Sequence, residues 1–186
     1  MTKAVLAAAM AELAENGAGG LSVAAVAARS GVHATSIYRR WGNAARLGLE
    51  AALAAAEERL PVPDTGALRG DLMLFLGALD LHVRTPLGRS LLVLSELADV
   101  ATAEARAAFW RERFGLARLM FTRAAARGEI ARTTDADFAL QFAIAPIYLR
   151  ALVLQVPFEA TYLARHVETV LQAFAPPAQI PGDADI

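Results

Sequence analysis

Between Leu21 and Trp41 the chain sets Val26, Ala27, Gly31, Val32 and Ile37 at the spacing of two short helices that cross at a steep angle. Such a crossing needs a small residue where the helices touch, which Ala27 supplies. The turn between them needs a backbone tolerant of the left-handed region, which Gly31 supplies. Val26, Val32 and Ile37 then point inward and hold the pair rigid. Tyr38, Arg39, Arg40 and Trp41 follow at once. From Ser22 to Leu47 there are four arginines (Arg29, Arg39, Arg40 and Arg46) and no acidic residue. A rigid helix pair can carry its second helix into a major groove as one body. Phosphates line both sides of that groove, so an acid-free arginine cluster is the surface a duplex requires.

Charge is divided along the chain. The whole has a formal net charge of -1, yet residues 1–47 carry +3, with Lys3 and the four arginines set against Glu12 and Glu15. The remainder therefore carries -4. A basic head on a mildly acidic body suits a protein whose head meets nucleic acid while its body does something else. With 186 residues, 56% of them apolar, the chain can bury a substantial core. It has no cysteine, which excludes a disulfide-stapled fold. No run of about eighteen apolar residues escapes charge, glycine or proline, which argues against a membrane span. The alanine-rich N-terminus carries Glu12 and Glu15 at helical spacing and runs straight into the helix pair, so it reads as a helix and not as a signal peptide. The expectation is a cytoplasmic protein.

Apolar residues recur at three and four throughout, with no sustained alternation, so the predicted fold is all-α. The first helix is predicted over Thr2–Glu15, stopped by Asn16-Gly17. Ser22 is placed to cap a second helix ending near Ser30, and a third spans Ala34–Arg40. Asn43 caps a fourth that runs to Leu60 and is closed by Pro61 and Pro63. A fifth begins at Asp64 or Thr65 and reaches Arg84. Pro86 opens a sixth. A break falls at Asp99–Thr102, and a seventh helix runs from Ala103 to Arg127. Thr134 caps an eighth ending near Val156-Pro157, and Phe158–Phe174 forms the ninth. The domains expected are residues 1–47, a helix-turn-helix head, and 48–175, a ligand-binding and dimerising body. Residues 176–186 are expected to be a disordered tail.

Nine helices, with a helix-turn-helix made by the second and third, resemble the TetR/AcrR family of one-component bacterial repressors. The slots that carry the resemblance read Ser22, Val26-Ala27, Gly31-Val32, Ser36, Ile37, Tyr38, Arg39-Arg40 and Trp41. In the body, Arg127-Gly128-Glu129-Ile130 and Pro146-Ile147-Tyr148-Leu149-Arg150 are similar to motifs of one C-terminal subgroup. There are three departures. His33 stands where a capping serine is usual, Ala44 replaces a lysine with Arg46 two residues on, and Lys3 is all that remains of a basic arm. The resemblance implies a homodimer joined by its last two helices and a body cavity for a small-molecule effector. It also implies binding to a palindromic operator in double-stranded DNA, released when the cavity fills.

On this reading Ser22, His33, Ala34, Thr35, Ser36, Tyr38, Arg39, Arg40 and Arg46 meet DNA. Tyr38 bonds a phosphate, and the arginines neutralise phosphates or fork onto guanine. Trp41 packs between the head and the fourth helix. In the body, apolar stripes fall on the fifth helix (Leu72, Phe75, Leu76, Leu79, Val83), the seventh (Trp110, Phe114, Ala117, Phe121) and the eighth (Phe138, Phe142, Ala145, Leu149). Such stripes are ordinarily core, but within a TetR-like body they also line a pocket. The ligand-binding set is Phe75, Leu79, His82, Trp110, Phe114, Phe121, Phe142 and Tyr148, a lining that favours a largely apolar effector with His82 and Tyr148 as polar anchors. Pro146 is expected to kink the eighth helix at a cost of roughly 3 kcal/mol. The dimer seam is drawn from Ile144, Ile147, Ala151 and Leu154 with Leu163, Val167, Val170, Leu171 and Phe174.

Catalysis has little to work with. The three histidines, His33, His82 and His166, lie on separate elements. There is no thiol, no metal-ligand spacing and no glycine loop after a strand, so neither metal nor cofactor is expected. A second reading is a TetR-like protein that has lost DNA binding and serves as a ligand- or protein-binding module.

Overall fold

The computed structural model describes residues 1–96 and 100–177, so Asp99 of the expected break and residues 178–186 of the expected tail lie outside the described residues. Every regular element among the described residues is helical. The order is α1 (Thr2–Gly20), α2 (Val23–Ser30), α3 (Ala34–Trp41), α4 (Ala44–Arg59), α5 (Leu68–Val83), α6 (Pro86–Glu96), α7 (Val100–Ala117), α8 (Leu119–Arg127), α9 (Ala136–Tyr148) and α10 (Ala160–Ala173). A π-helical turn, Leu149–Leu154, continues α9. The seventh predicted helix is thus α7 and α8 with only Arg118 between them, and it already begins at Val100.

Two apolar cores organise these elements. The head core joins Val5, Ala9 and Leu13 of α1, Val26, Ile37 and Trp41, and continues along α4 as far as Ala55. It also takes Leu87 and Leu94 from α6. The body core is built by α5, α8, α9 and α10 around Leu72, Leu76, Phe121, Ile147 and Val167. Because α1 and α4 both pack on α6, the head rests on a helix that grows out of the body.

Helix ends differ from expectation where the cap comes from elsewhere in the chain. Thr65 does not start α5: its N–H and hydroxyl donate to Asp71 Oδ1 at 2.7 and 2.8 Å and fold the preceding loop back. α5 starts at Leu68, whose N–H donates to Glu129 Oε2 at 2.6 Å, a cap supplied by the turn after α8. The cap of α9 is Asp135 and not Thr134, and its carboxylate accepts from the N–H groups of Asp137 and Phe138. α1 runs past Asn16 but kinks at Gly17, where φ is 65°.

Pro146 lies inside α9 and has no N–H to donate. The register loosens just beyond it into the π-helical turn, which ends at Gln155 in the left-handed region with φ 53°. The stretch Ala136–Leu154 has mean hydropathy 1.5 and is long enough to cross a membrane, but it carries Asp137, Pro146 and Arg150. One face of it, Ala139, Leu140, Ala143, Ile144 and Ile147, is buried in the body core.

Candidate nucleic-acid interface and body cavity

The head forms as its short-range signals require. Ser22 Oγ accepts from Ala25 N–H at 3.1 Å and opens α2. Gly31 closes it at φ 69°, its N–H donating to Ala27 O. In α3, Ile37 and Trp41 lie one turn apart and are buried, and Trp41 Nε1 donates to Glu50 Oε2 at 2.8 Å, locking α3 to α4. The opposite face carries Thr35, Tyr38 and Arg39, all exposed, with Ser36 and Arg40 on its flank. Tyr38, an apolar ring more than half exposed, points away from every core. The Arg40 guanidinium stands 5.1 Å over the Trp41 ring, which holds it beside that face. His33 precedes α3 and makes no side-chain cap. Asn43 Oδ1 accepts from Arg46 N–H at 2.8 Å, fixing the start of α4 with Arg46 exposed in its first turn.

One arginine of the acid-free cluster is held within the head. Arg29 donates from Nε to Glu12 Oε1 at 2.8 Å and from its outer nitrogens to the Glu15 carboxylate. The guanidinium holds the Glu15 carboxyl below its ordinary range, and Glu15 with Glu12 raises Arg29 in turn. Arg29 ties α2 to α1, and Glu12, buried in the head, takes its charge partner there. Among the described residues no carboxylate pairs with Arg39, Arg40 or Arg46. Arg29→Ala is therefore expected to lower the melting temperature while leaving the salt dependence of DNA binding unchanged, as calorimetry and titrations at several salt concentrations would read.

In the body, a narrow, partly open cleft lies between α4, α5, α6, α7 and α9. Of the predicted ligand set, Phe75, Leu79, His82, Trp110, Phe114 and Tyr148 line it. Trp110 and Phe114 pack with ring centres 5.3 Å apart and their planes tilted by 33°. Phe121 instead sits at the centre of the body core, edge-on to Phe174. Phe142 faces outward, against Phe138 and Phe174. Most of the expected seam is core as well. Ile144, Ile147, Ala151, Leu163, Val167 and Val170 are buried within the chain, and Leu171 and Phe174 are partly covered. The outward apolar face is Phe138, Phe142, Leu149, Leu152, Val153 and Leu154.

Sequence reasoning missed Ala56 of α4, its C-capping Leu60, and Arg113 as wall residues. Arg113 sits between Trp110 and Phe114 in an otherwise apolar stripe, which was the available signal. It donates to Leu60 O, spanning from α7 to the end of α4. Burial, then the Arg59 and Arg113 charges, pushes the His82 imidazole below its ordinary value. Burial raises the Tyr148 phenol to about 12, with Arg113 opposing.

Both halves of the chain match known families. The model of bacterial regulatory proteins of the tetR family matches residues 5–51, and that of the tetracyclin repressor-like C-terminal domain matches residues 62–170. The chain belongs to the TetR family. Among curated relatives, the HTH-type transcriptional regulator AqdR of Rhodococcus erythropolis is 35% identical over 133 residues, which is 70% of this chain. The match spans 64% of AqdR's length. The solved TetR-family regulator SCO0332 superposes with a TM-score of 0.79 at 30% identity, covering 94% of this chain and 98% of that one. CifR, solved as a cysteine mutant with 26-base-pair operator DNA, shares the fold with a TM-score of 0.62 at 24% identity, covering 92% and 95%. The protein is thus a TetR-family transcriptional regulator with a helix-turn-helix DNA-binding domain.

The TetR body explains its own turn motif. Gly128 ends α8 in the left-handed region with φ 78°, Ile130 is buried, and Arg127 pairs with Glu129. Glu129 in turn holds the first N–H of α5. Arg123 reaches from α8 to Pro63 O and to Asp64, so the α4–α5 loop is pinned along its length. Whatever moves α4 must do so against this anchored end.

Proposed function

We propose that this TetR-family regulator is a repressor that binds a palindromic operator as a homodimer and releases it when a small, largely apolar molecule fills the body cavity. One observation carries the reading: α4 belongs to both halves. Its Leu47, Leu49, Ala51, Ala52 and Ala55 are in the head core, while Ala56 and the C-capping Leu60 are in the cavity wall. A ligand that spreads the wall displaces the helix on which α3 is locked through Trp41 and Glu50. It shifts the DNA-binding equilibrium by its differential affinity for the two arrangements.

Thr35, Ser36, Tyr38, Arg39 and Arg40, with Arg46, Ser22, His33 and Ala34 around them, form the DNA face. That CifR, of the same fold, was solved with operator DNA is consistent with a DNA face on this head. A regulator of this kind acts where the chromosome lies, in the cytoplasm. Two heads must address half-sites about one helical turn apart or a multiple of it, which two-fold symmetry supplies. The outward apolar face of α9 and the π-helical turn, with Phe138, Phe142 and Phe174 in edge-on contact, is the seam a second copy covers.

The deciding experiment is a fluorescence-anisotropy titration against DNA selected by the protein from random sequences. Salt-sensitive binding of two chains to a two-fold symmetric site is expected, and selection of no sequence would sink the reading. Phe142→Arg, which places a charge in the seam without touching the core, is expected to yield monomers by light scattering and to weaken operator binding. A dimer unaffected by it would move the seam elsewhere.

A further inference from the structure

The cavity wall contains a side chain whose polar atoms are fully buried and without a partner among the described residues. His82 is 6% exposed, and neither Nδ1 nor Nε2 meets a partner among the described residues. Its backbone is fixed, since His82 O accepts from Thr85 N–H at 3.0 Å and from Thr85 Oγ1 at 2.7 Å. His82 lines the cleft together with Phe75, Leu79, Phe114 and Ile144. A buried donor and acceptor left without partners cost stability, and a leucine would fill the same place without that cost. A residue that weakens the empty protein points to what fills it.

Two other polar side chains reach the wall, Arg113 and the half-buried Tyr148, whose hydroxyl is not sealed from solvent as the His82 ring is. Arg113 already donates to Leu60 O, and Tyr148 stays a neutral phenol at physiological pH. A cationic guest would meet the Arg113 charge at close range. An anionic guest would have to offset the loss of its hydration in an apolar cleft with a single guanidinium that also donates to Leu60 O. A neutral imidazole has one N–H and one lone pair, so it can satisfy a hydroxyl or a carbonyl.

We propose that His82 is the hydrogen-bonding anchor of the effector site, and that the effector is an uncharged, mainly apolar molecule bearing a hydroxyl or carbonyl group. This rests on the reading of the cleft as the effector site. The test is calorimetric titration of the full chain with 1-naphthol, naphthalene and 2-naphthoate, using wild type, His82→Leu and His82→Gln. The naphthol-to-naphthalene affinity ratio is expected to be about tenfold higher in wild type than in His82→Leu. His82→Gln, which keeps a donor and an acceptor, is expected to retain most of that ratio and guards against a packing artefact of the leucine. A ratio insensitive to both changes would overturn the anchor and leave the cavity reading standing. Tighter binding of 2-naphthoate than of 1-naphthol would overturn the uncharged class. Binding of none of the three by wild type would overturn the cavity reading and the anchor together.

Discussion

Replacing Arg39 and Arg40 together by alanine is expected to lower operator affinity roughly a thousandfold without unfolding the head. Each substitution acts twice in a dimer, so four charged groups no longer reach the DNA, and at about 1 kcal/mol apiece the sum is about 4 kcal/mol. Where those groups meet phosphate, each also removes about one unit from the slope of log affinity against log salt. The slope should therefore flatten by about 2 to 4. Both side chains are exposed, and the apolar face of α3 is held by Ile37 and Trp41, so the melting temperature should fall by only about 1–4 °C. Within the head, the double substitution takes the Arg40 guanidinium off the Trp41 ring, a partly exposed pair of about 0.5–1 kcal/mol. Anisotropy titrations at several salt concentrations separate the outcomes. An unchanged slope with lost affinity would make both arginines base readers, and unchanged affinity would remove α3 from the DNA face. Arg29→Ala is the internal contrast, because its charge is spent within the head on Glu12 and Glu15.

That contrast shows where the sequence stopped being legible. The helix pair was readable because its determinants are local: a left-handed glycine, a small contact residue, and two large apolar side chains one turn apart. Arg29 is equally local in the sequence, yet its partners lie 14 and 17 residues back on another helix, and only the crossing of α1 and α2 brings them together. The start of α5 failed for the same reason. Asp64 and Thr65 are good capping residues, but the loop spends Thr65 on Asp71, and the cap arrives from Glu129, 61 residues on.

The ligand set and the seam were confused for a different reason. α9 is apolar on two faces, so periodicity finds both stripes and cannot say which one the rest of the chain covers. Folding puts Leu140 and Ile144 against the cleft and leaves Phe138 and Phe142 outside. Tertiary burial made that choice: it placed Ile144 in the cleft wall and Phe142 on the outside. On α5 and α7 only one stripe is long enough to serve, and there Phe75, Leu79, Trp110 and Phe114 fell where the spacing put them.

Gly88→Ala is expected to destabilise the protein by about 2–3 kcal/mol, far more than one methyl group suggests. A Cβ at this position would stand 2.1 Å from His82 O, 2.8 Å from His82 C and 3.0 Å from Val83 Cα. All three are backbone atoms at the end of α5, so no rotamer change relieves the overlap. The joint is closed by hydrogen bonds as well: Thr85 Oγ1 donates to His82 O and accepts from Gly88 N–H at 3.0 Å. The first turn of α6 must therefore lift away from α5. Leu87 and Leu94 of α6 are buried in the head core, so that lift is passed to α1 and α4. For a chain of this size the melting temperature should fall by about 4–12 °C. Gly115→Ala is the control. It lies inside α7 with nothing within 4 Å of its added carbon, and should instead gain about 0.5–1 kcal/mol from helix propensity. If the two substitutions melt alike, α6 is not seated on α5 as described. If Gly88→Ala melts lower and, while still folded, also holds operator more weakly, displacing α6 reproduces what filling the cavity does. That outcome would identify the α5–α6 joint as the point where body and head are coupled.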